Sequence, residues 1–279
     1  MIWLNGKVLP LRKARIGVED RGFQFADGVY EVVRIYNGRL FALDRHLDRL
    51  ERSCAGITLP LPVARDRLAG QMEHLVARSR VRDGMLYLQI TRGEARRNHV
   101  FPKTAATVLF YVRQVPPMED PAKSRGLRLH AVRDDRWNRC WIKSIALLPN
   151  VLAKNEAVAA GADEAVFVNE GWVSECSSSN IFIVAGGMLI TPPVGPKVLP
   201  GITRGLLLEL ARRKGVAVVE RPFSEAEALA AEEVFITSTT REAAWVSHWN
   251  GRQVGAGRCG PVMRELHAAL VERISAETA

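Results

Sequence analysis

The sequence predicts an α+β protein built from two mixed α/β domains. Three Asn-Gly pairs, Asn5-Gly6, Asn37-Gly38 and Asn250-Gly251, stand between apolar runs and mark tight hairpin turns. Hairpins of this kind outnumber any alternation of strand and helix, which argues against a doubly wound parallel sheet. A proline-rich polar stretch at 114–124, QVPPMEDPAKS, then interrupts the pattern and reads as a linker. It separates a small N-terminal domain, 1–113, from a larger C-terminal domain, 125–279.

In chain order, residues 1–9 and 29–43 form hairpins, the second with YEVVRIY before its turn and RLFAL after it. Leu43, Leu47, Leu50 and Cys54 recur at helical spacing, so 44–56 is a helix with Asp44 as its N-cap. Leu68, Met72, Leu75 and Val76 place a second helix over 63–79. MLYLQIT at 85–91 and TVLFYVR at 107–113 read as strands. Beyond the linker, strands are expected near 126–132, 164–168, 180–185, 188–191, 216–220 and 233–238, and helices at 150–160, 203–214 and 261–275.

The 279 residues are 47% hydrophobic and 25% charged, which is ordinary for a soluble globular chain and argues against disorder. No apolar run approaches the ~18–20 residues that span a bilayer. MIWLNGKVLPLRKAR also lacks a signal peptide's apolar core, so no membrane association and a cytoplasmic location are expected. Cys54, Cys140, Cys176 and Cys259 show no CxxC pair, which argues against a zinc site or a disulfide framework. The net charge of +9 comes mostly from arginines scattered along the chain. Without a basic run or a basic-aromatic motif it does not predict a nucleic-acid partner, though it favours anionic ligands.

The chemistry concentrates in a few segments. Lys143 sits in Ile142-Lys143-Ser144, where apolar neighbours can favour the neutral amine that attacks an aldehyde, although a lysine after Trp141-Ile142 is by itself more commonly a snorkelling surface or strand-end residue. Glu175, in Val173-Ser174-Glu175-Cys176-Ser177-Ser178-Ser179-Asn180, is a carboxylate that could hold a proton on a pyridine nitrogen. Cys176 beside it reads as a small residue in a tight loop rather than a nucleophile. Leu199-Pro200-Gly201-Ile202-Thr203-Arg204 opens a helix, with Thr203 as N-cap or first-turn residue, and its positive end suits a phosphate. Phe235-Ile236-Thr237-Ser238-Thr239-Thr240 ends a strand in a row of hydroxyls. Either segment alone is more commonly a plain cap or strand end.

Arg97-Asn98-His99 lies in a loop after Thr91-Arg92-Gly93, where two donors could converge on one carboxylate. Arg21 through Glu31, RGFQFADGVYE, reads as a glycine-bracketed turn opening a strand, with Tyr30 facing away from Val29 and Glu31.

RGFQFADGVYE, HLDRL, IKSIALL, SECSSSN, LPGITR and TSTT, in this order, resemble the fold-type IV pyridoxal-phosphate enzymes over about residues 2–275. That family includes D-amino acid aminotransferases, branched-chain aminotransferases and aminodeoxychorismate lyases. The Arg-x-His loop after TRG is most similar to the D-amino acid branch. The resemblance implies two domains with pyridoxal 5'-phosphate in the cleft between them, and a homodimer with a substrate trap shared across its interface. It implies transfer of the amino group of a D-amino acid, D-alanine being the simplest, to a 2-oxo acid such as 2-oxoglutarate. The alternatives are an L-branched-chain aminotransferase or the lyase.

Residue by residue, Lys143 matches the Schiff-base lysine and Glu175 the partner of the ring nitrogen. Arg49, in HLDRL, matches the arginine on the cofactor phosphate, with Ile202, Thr203 and Thr239 as its backbone and hydroxyl partners. Leu199 matches the side chain packed on the ring. Tyr30, Arg97 and His99 match the trap for the substrate α-carboxylate. Two departures stand out: Ala146 replaces an asparagine found in KSLNLL-type sequences, and Cys176 replaces a glycine common after the glutamate.

Overall fold

The computed structural model describes residues 1–118 and 120–279; Glu119, inside the 114–124 segment, lies outside the described residues. The chain divides into two units. One comprises Met1–Pro117 with Ile142–Ala146 and Ala276–Ala279, and the other Met118–Trp141 with Leu147–Ser275.

The first unit runs β1 (Ile2–Leu4), β2 (Lys7–Leu9), α1 (Arg21–Phe25), β3 (Gly28–Tyr36), β4 (Arg39–Leu40), α2 (Leu43–Gly56), α3 (Arg65–Ser79), β5 (Gly84–Thr91) and β6 (Thr107–Gln114). Its six strands form one antiparallel sheet in the order β2-β1-β6-β5-β3-β4. Both Asn-Gly hairpins are present, with each asparagine and glycine at positive φ. The sheet packs its apolar face on α2 and α3 around Val29, Val33, Leu47, Leu50, Leu68, Met72, Leu86 and Phe110.

Two local expectations are corrected here. Asp44 does not cap α2: the N-cap is Ala42, in the left-handed region at φ 52°, and Asp44 falls in the first turn beside the helix's positive end. The glycine-bracketed turn is a one-turn helix, α1, capped by Asp20 accepting from the Gly22 N–H and closed by Ala26 at φ 54°.

Residues 142–146 behave as a short extra strand on β3. Tyr30 N–H donates to the Lys143 carbonyl (3.0 Å), Ile145 N–H donates to Gly28 O (3.1 Å), and Val29 bridges Ser144. Gly28 permits this: a Cβ there would lie 2.5 Å from Ile90 O on β5 and 3.0 Å from Ile145 Cδ1. Buried Ile142 then anchors the segment in the sheet–helix core.

The second unit runs β7 (Leu127–Arg133), α4 (Leu148–Ala159), β8 (Glu164–Asn169), β9 (Trp172–Cys176), β10 (Asn180–Ala185), β11 (Met188–Thr191), α5 (Ile202–Arg213), β12 (Val218–Glu220), α6 (Glu225–Ala230), β13 (Glu233–Ser238), β14 (Glu242–Trp249), β15 (Arg252–Gln253) and α7 (Pro261–Thr278). Its strands follow the order β12-β11-β10-β13-β14-β7-β8-β9, with β15 beside β14 through the third Asn-Gly turn. Pairing is mixed: β11–β12, β14–β7 and β7–β8 are parallel and the rest antiparallel. Ile181, Ile183, Phe223, Val234, Ile236 and Trp249 form its principal core, and Val132, Ala157, Ala165 and Phe167 a second one with α4.

Candidate active site

Each unit carries one chemically dense region. In the first, the alternation of β3 sends Glu31 and Tyr30 to opposite faces. Glu31, fully buried, meets α2, where His46 and Arg49 share a face at helical spacing. Arg49 Nε donates to Oε1 (2.7 Å) and its Nη2 to Oε2 (2.8 Å), while His46 Nδ1 lies 2.8 Å from Oε2. Burial alone would raise the Glu31 carboxyl, but the Arg49 charge and these hydrogen bonds hold it far below the usual carboxylate range. Burial also keeps His46 below its ordinary value against the pull of Glu31, so the ring is neutral at pH 7. The result is a guanidinium locked in place by a bidentate pair.

On the other face of β3, Tyr30 stacks on Tyr87 (5.9 Å), which stacks on Tyr111 (5.3 Å). The Lys143 amine sits 4.2 Å above the Tyr30 ring. Since residues 142–146 pair with the start of β3, backbone hydrogen bonding fixes this approach, and Ser53 Oγ accepts from the Lys143 N–H (3.1 Å).

The 97–99 loop is held against α1. Arg97 stacks over Phe25 (4.3 Å), His99 packs on the same ring (5.4 Å), and Arg21 donates to Asn98 O. Both Arg97 and His99 are exposed. Tyr30 and the Arg97/His99 pair therefore belong to two separate contact groups.

In the second unit Glu175, near the end of β9, is surrounded by donors. Arg136 Nη1 donates to its Oε1 (2.6 Å), and the Leu199 N–H (3.0 Å) and Asn180 Nδ2 (3.1 Å) donate to its Oε2. Asn180 also donates to Leu199 O (2.9 Å), tying the approach of α5 to β10. Arg136 is gripped in turn by Asp134, Nε to Oδ1 (3.0 Å) and Nη2 to Oδ2 (2.9 Å).

The helix α5 begins at Gly201 with no side-chain cap, which places Ile202 and Thr203, both buried, in its first turn. A Cβ on Gly201 would fall 1.9 Å from Asn180 Oδ1, so only glycine permits this entry. At the end of β13 the Thr237 hydroxyl is buried without a hydrogen-bond partner, and Thr239 follows in the turn that leads to β14. An uncapped helix start, an orphaned hydroxyl and a carboxylate fixed by outside donors suit a phosphorylated, nitrogen-containing ring.

Cys176 closes β9 instead of sitting in a loop, and burial pushes its thiol well above the ordinary value, leaving it no nucleophilic role at neutral pH. Among the described residues no group of three or more His, Cys, Asp or Glu side chains could hold a metal ion. No described helix is long and apolar enough to cross a membrane.

Residues 28–249 match the amino-transferase class IV family. The chain belongs to that family. This class IV aminotransferase is 40% identical over 285 residues to the D-alanine aminotransferase of Bacillus licheniformis, covering 100% of this chain and 98% of the relative. Its fold matches the branched-chain amino acid aminotransferase of Escherichia coli with a TM-score of 0.91 at 26% identity, covering 100% of this chain and 95% of that one. A T.th. branched-chain amino acid aminotransferase solved with pyridoxamine 5'-phosphate matches with a TM-score of 0.91 at 28% identity, over 99% and 94% of the two chains.

Four polar residues of this class IV aminotransferase escaped the sequence analysis as candidates: Glu31, His46, Asp134 and Arg136. For His46 the signal was present, since His-x-x-Arg on a helix puts it on one face with Arg49. For Arg136 the signal was weaker. Asp134-x-Arg136 lets a guanidinium fold back on its own carboxylate, but it sits in a run, RDDRWNR, that reads as a solvated loop.

Proposed function

We propose that this aminotransferase moves the amino group of a D-amino acid, D-alanine being the simplest, to a 2-oxo acid such as 2-oxoglutarate, using pyridoxal 5'-phosphate. The observation that carries the proposal is the 40% identity to a D-alanine aminotransferase along the whole chain. The likeness to branched-chain enzymes in three dimensions, at 26–28% identity, reflects a shared fold.

The donor set fits the cofactor, and the chain's residues divide its handling. Lys143 Nζ would carry it covalently. Arg49, pre-placed by Glu31, would hold its phosphate, a role also proposed for the first turn of α5 at Ile202 and Thr203 and for the Thr239 hydroxyl. Leu199 would pack on its ring, and Glu175 would favour a proton on the ring nitrogen. When bound, the cofactor supplies an aldehyde for the amino group and an electron sink for the α-carbon. Once free, Lys143 Nζ would take the substrate's α-proton as general base and give a proton back as general acid. Tyr30, with Arg97 and His99 of a second copy of the chain, would hold the substrate α-carboxylate, so that its position decides which α-substituent meets Lys143.

Arg97 and His99 are presented on an exposed loop flanked by exposed Val18, Phe23, Val100 and Phe101. Such apolar exposure around a substrate-binding loop favours cover by a second copy of the chain. Sedimentation at assay concentration should therefore give a homodimer, and a monomer with full activity contradicts that assembly.

End-point assays with D-alanine and L-leucine, each with 2-oxoglutarate, test the substrate assignment. D-alanine should react faster; faster turnover of L-leucine makes the enzyme a branched-chain aminotransferase. Arg97→Ala should raise the KM for D-alanine by roughly 10- to 150-fold, equivalent to losing about 1.5–3 kcal/mol of a charge-assisted contact. The absorbance of the resting enzyme should stay unchanged. Lysine at this position should recover only part of the loss, because an ammonium cannot copy the planar fork.

A further inference from the structure

The carboxylate assigned above to the ring nitrogen is not isolated. It is one end of a buried Asp134–Arg136–Glu175 chain in which the arginine touches both acids. We propose that Arg136, fixed by Asp134, is a positioning residue that keeps the proton shared between Glu175 and the cofactor's ring nitrogen on the nitrogen. The proposal rests on Glu175 being the partner of that nitrogen.

A carboxyl group and a pyridine nitrogen sharing one proton can exist as carboxylate with pyridinium or as neutral acid with pyridine. Which form prevails depends on the proton affinity of the carboxylate. Burial alone favours the neutral acid, because desolvation penalises the charge, and Glu175 is buried. Its strand neighbours Val173 and Cys176 are buried too and offer it no charge. The Leu199 N–H and Asn180 amide lower its proton affinity as neutral donors. Arg136 adds a full positive charge 2.6 Å from Oε1. A cation at that distance favours the carboxylate over the neutral acid, and so the shared proton on the nitrogen.

The guanidinium is held by more than Glu175. Asp134 takes its Nε and Nη2, Lys197 O accepts from Nη2 (2.9 Å), Ser174 Oγ lies 3.3 Å from Nη2, and the Phe167 ring lies 4.0 Å beneath it. These contacts leave Nη1 aimed at Glu175. Burial disfavours the Arg136 charge, but its hydrogen bonds to Asp134 and the two carboxylate charges hold it above its ordinary value, so it stays a cation throughout the working range. Asp134 is held below the usual carboxylate value by Arg136, Ser174 and Lys197 in spite of burial. Lys197 Nζ approaches Asp134 Oδ1 at 3.5 Å, and the Cys140 thiol, raised to about 11 by burial, stays neutral.

Asp134 has a second consequence. Asp134, which also meets Lys197, offsets part of the Arg136 charge, so Arg136 lowers the proton affinity of Glu175 without cancelling its attraction for a pyridinium. An arginine without Asp134 would make Glu175 a weaker base and also cancel its attraction for the ring.

The test is the 15N chemical shift of holoenzyme loaded with ring-15N pyridoxal phosphate, read at neutral pH. Wild type should give a pyridinium signal, and Glu175→Gln a pyridine one. Arg136→Met should move the signal towards pyridine, whereas Arg136→Lys, which keeps the charge, should stay near wild type. Because Arg136→Met leaves two buried carboxylates without their cation, the double variant Asp134→Asn/Arg136→Met is measured beside it and should shift in the same direction. A pyridinium signal in the folded methionine variants, with Glu175→Gln shifted, overturns the role of Arg136 and leaves that of Glu175. Equal shifts for lysine and methionine also overturn it, since shape rather than charge would then matter. An unshifted Glu175→Gln removes the assignment on which the proposal rests.

Discussion

Lys143→Ala is expected to lose nearly all transaminase turnover while retaining the fold. In the proposed mechanism one amine serves as attachment point, general base and general acid, so its removal takes out several steps at once. A positioned acid–base group contributes about 10²–10⁴-fold on its own, and the loss of kcat should therefore exceed about 10⁴-fold. Retention of the fold follows from how the segment is built. The contacts of 142–146 with β3 are backbone hydrogen bonds, and Ile142 rather than Lys143 fills the core. The lost packing of the amine on Tyr30 is worth only about 0.5–1 kcal/mol for a partly exposed site. Circular dichroism and steady-state assays of the purified variant check both halves. Turnover within tenfold of wild type removes Lys143 from the chemistry.

Glu175→Gln is the second large effect. The glutamine keeps the shape and can still accept hydrogen bonds on one side, but it removes the negative charge that the proposed function sets against the ring nitrogen. Losing one preorganised electrostatic partner of charge that develops during reaction costs on the order of 10²–10³ in kcat. Affinity for the cofactor should change far less, because phosphate binding is assigned to Arg49, α5 and Thr239. Arg49→Ala should give the opposite split, weakening cofactor binding by about 1.5–3 kcal/mol. Fluorescence titration of apoenzyme and kcat measured at saturating cofactor separate the two. Parallel losses of affinity and turnover in Glu175→Gln would make Glu175 a scaffold residue only.

Much of the fold was legible because its signals are local. The Asn-Gly turns need positive φ at adjacent residues, which few other pairs adopt, and all three close hairpins. The helices α2, α3 and α5 announce themselves through apolar spacing. β9 and β14 were not anticipated. WVSEC is short and mixes polar residues into a mostly buried strand, while EAAWVSHW is buried on both faces and so shows no alternation. At α2 a left-handed alanine took the place of a capping side chain, a backbone choice that propensity does not register.

The candidate site was legible as motifs but not as contacts. IKSIA carries no local sign that it pairs with a strand more than a hundred residues earlier; that depends on Gly28 leaving room for Ile145. Likewise RDDRWNR looks like solvated charge until Phe167, Lys197 and Glu175, all distant in sequence, close around Arg136. Long-range packing decides which of many charged residues become buried partners, and composition cannot rank them.

The most direct test of the account is to reduce the holoenzyme with borohydride, digest it and map the pyridoxyl group by mass spectrometry. The label should fall on Lys143. A label on Lys154 or Lys197, both of which lie in the second unit, would contradict the assignment of Lys143 and the mechanism built on it.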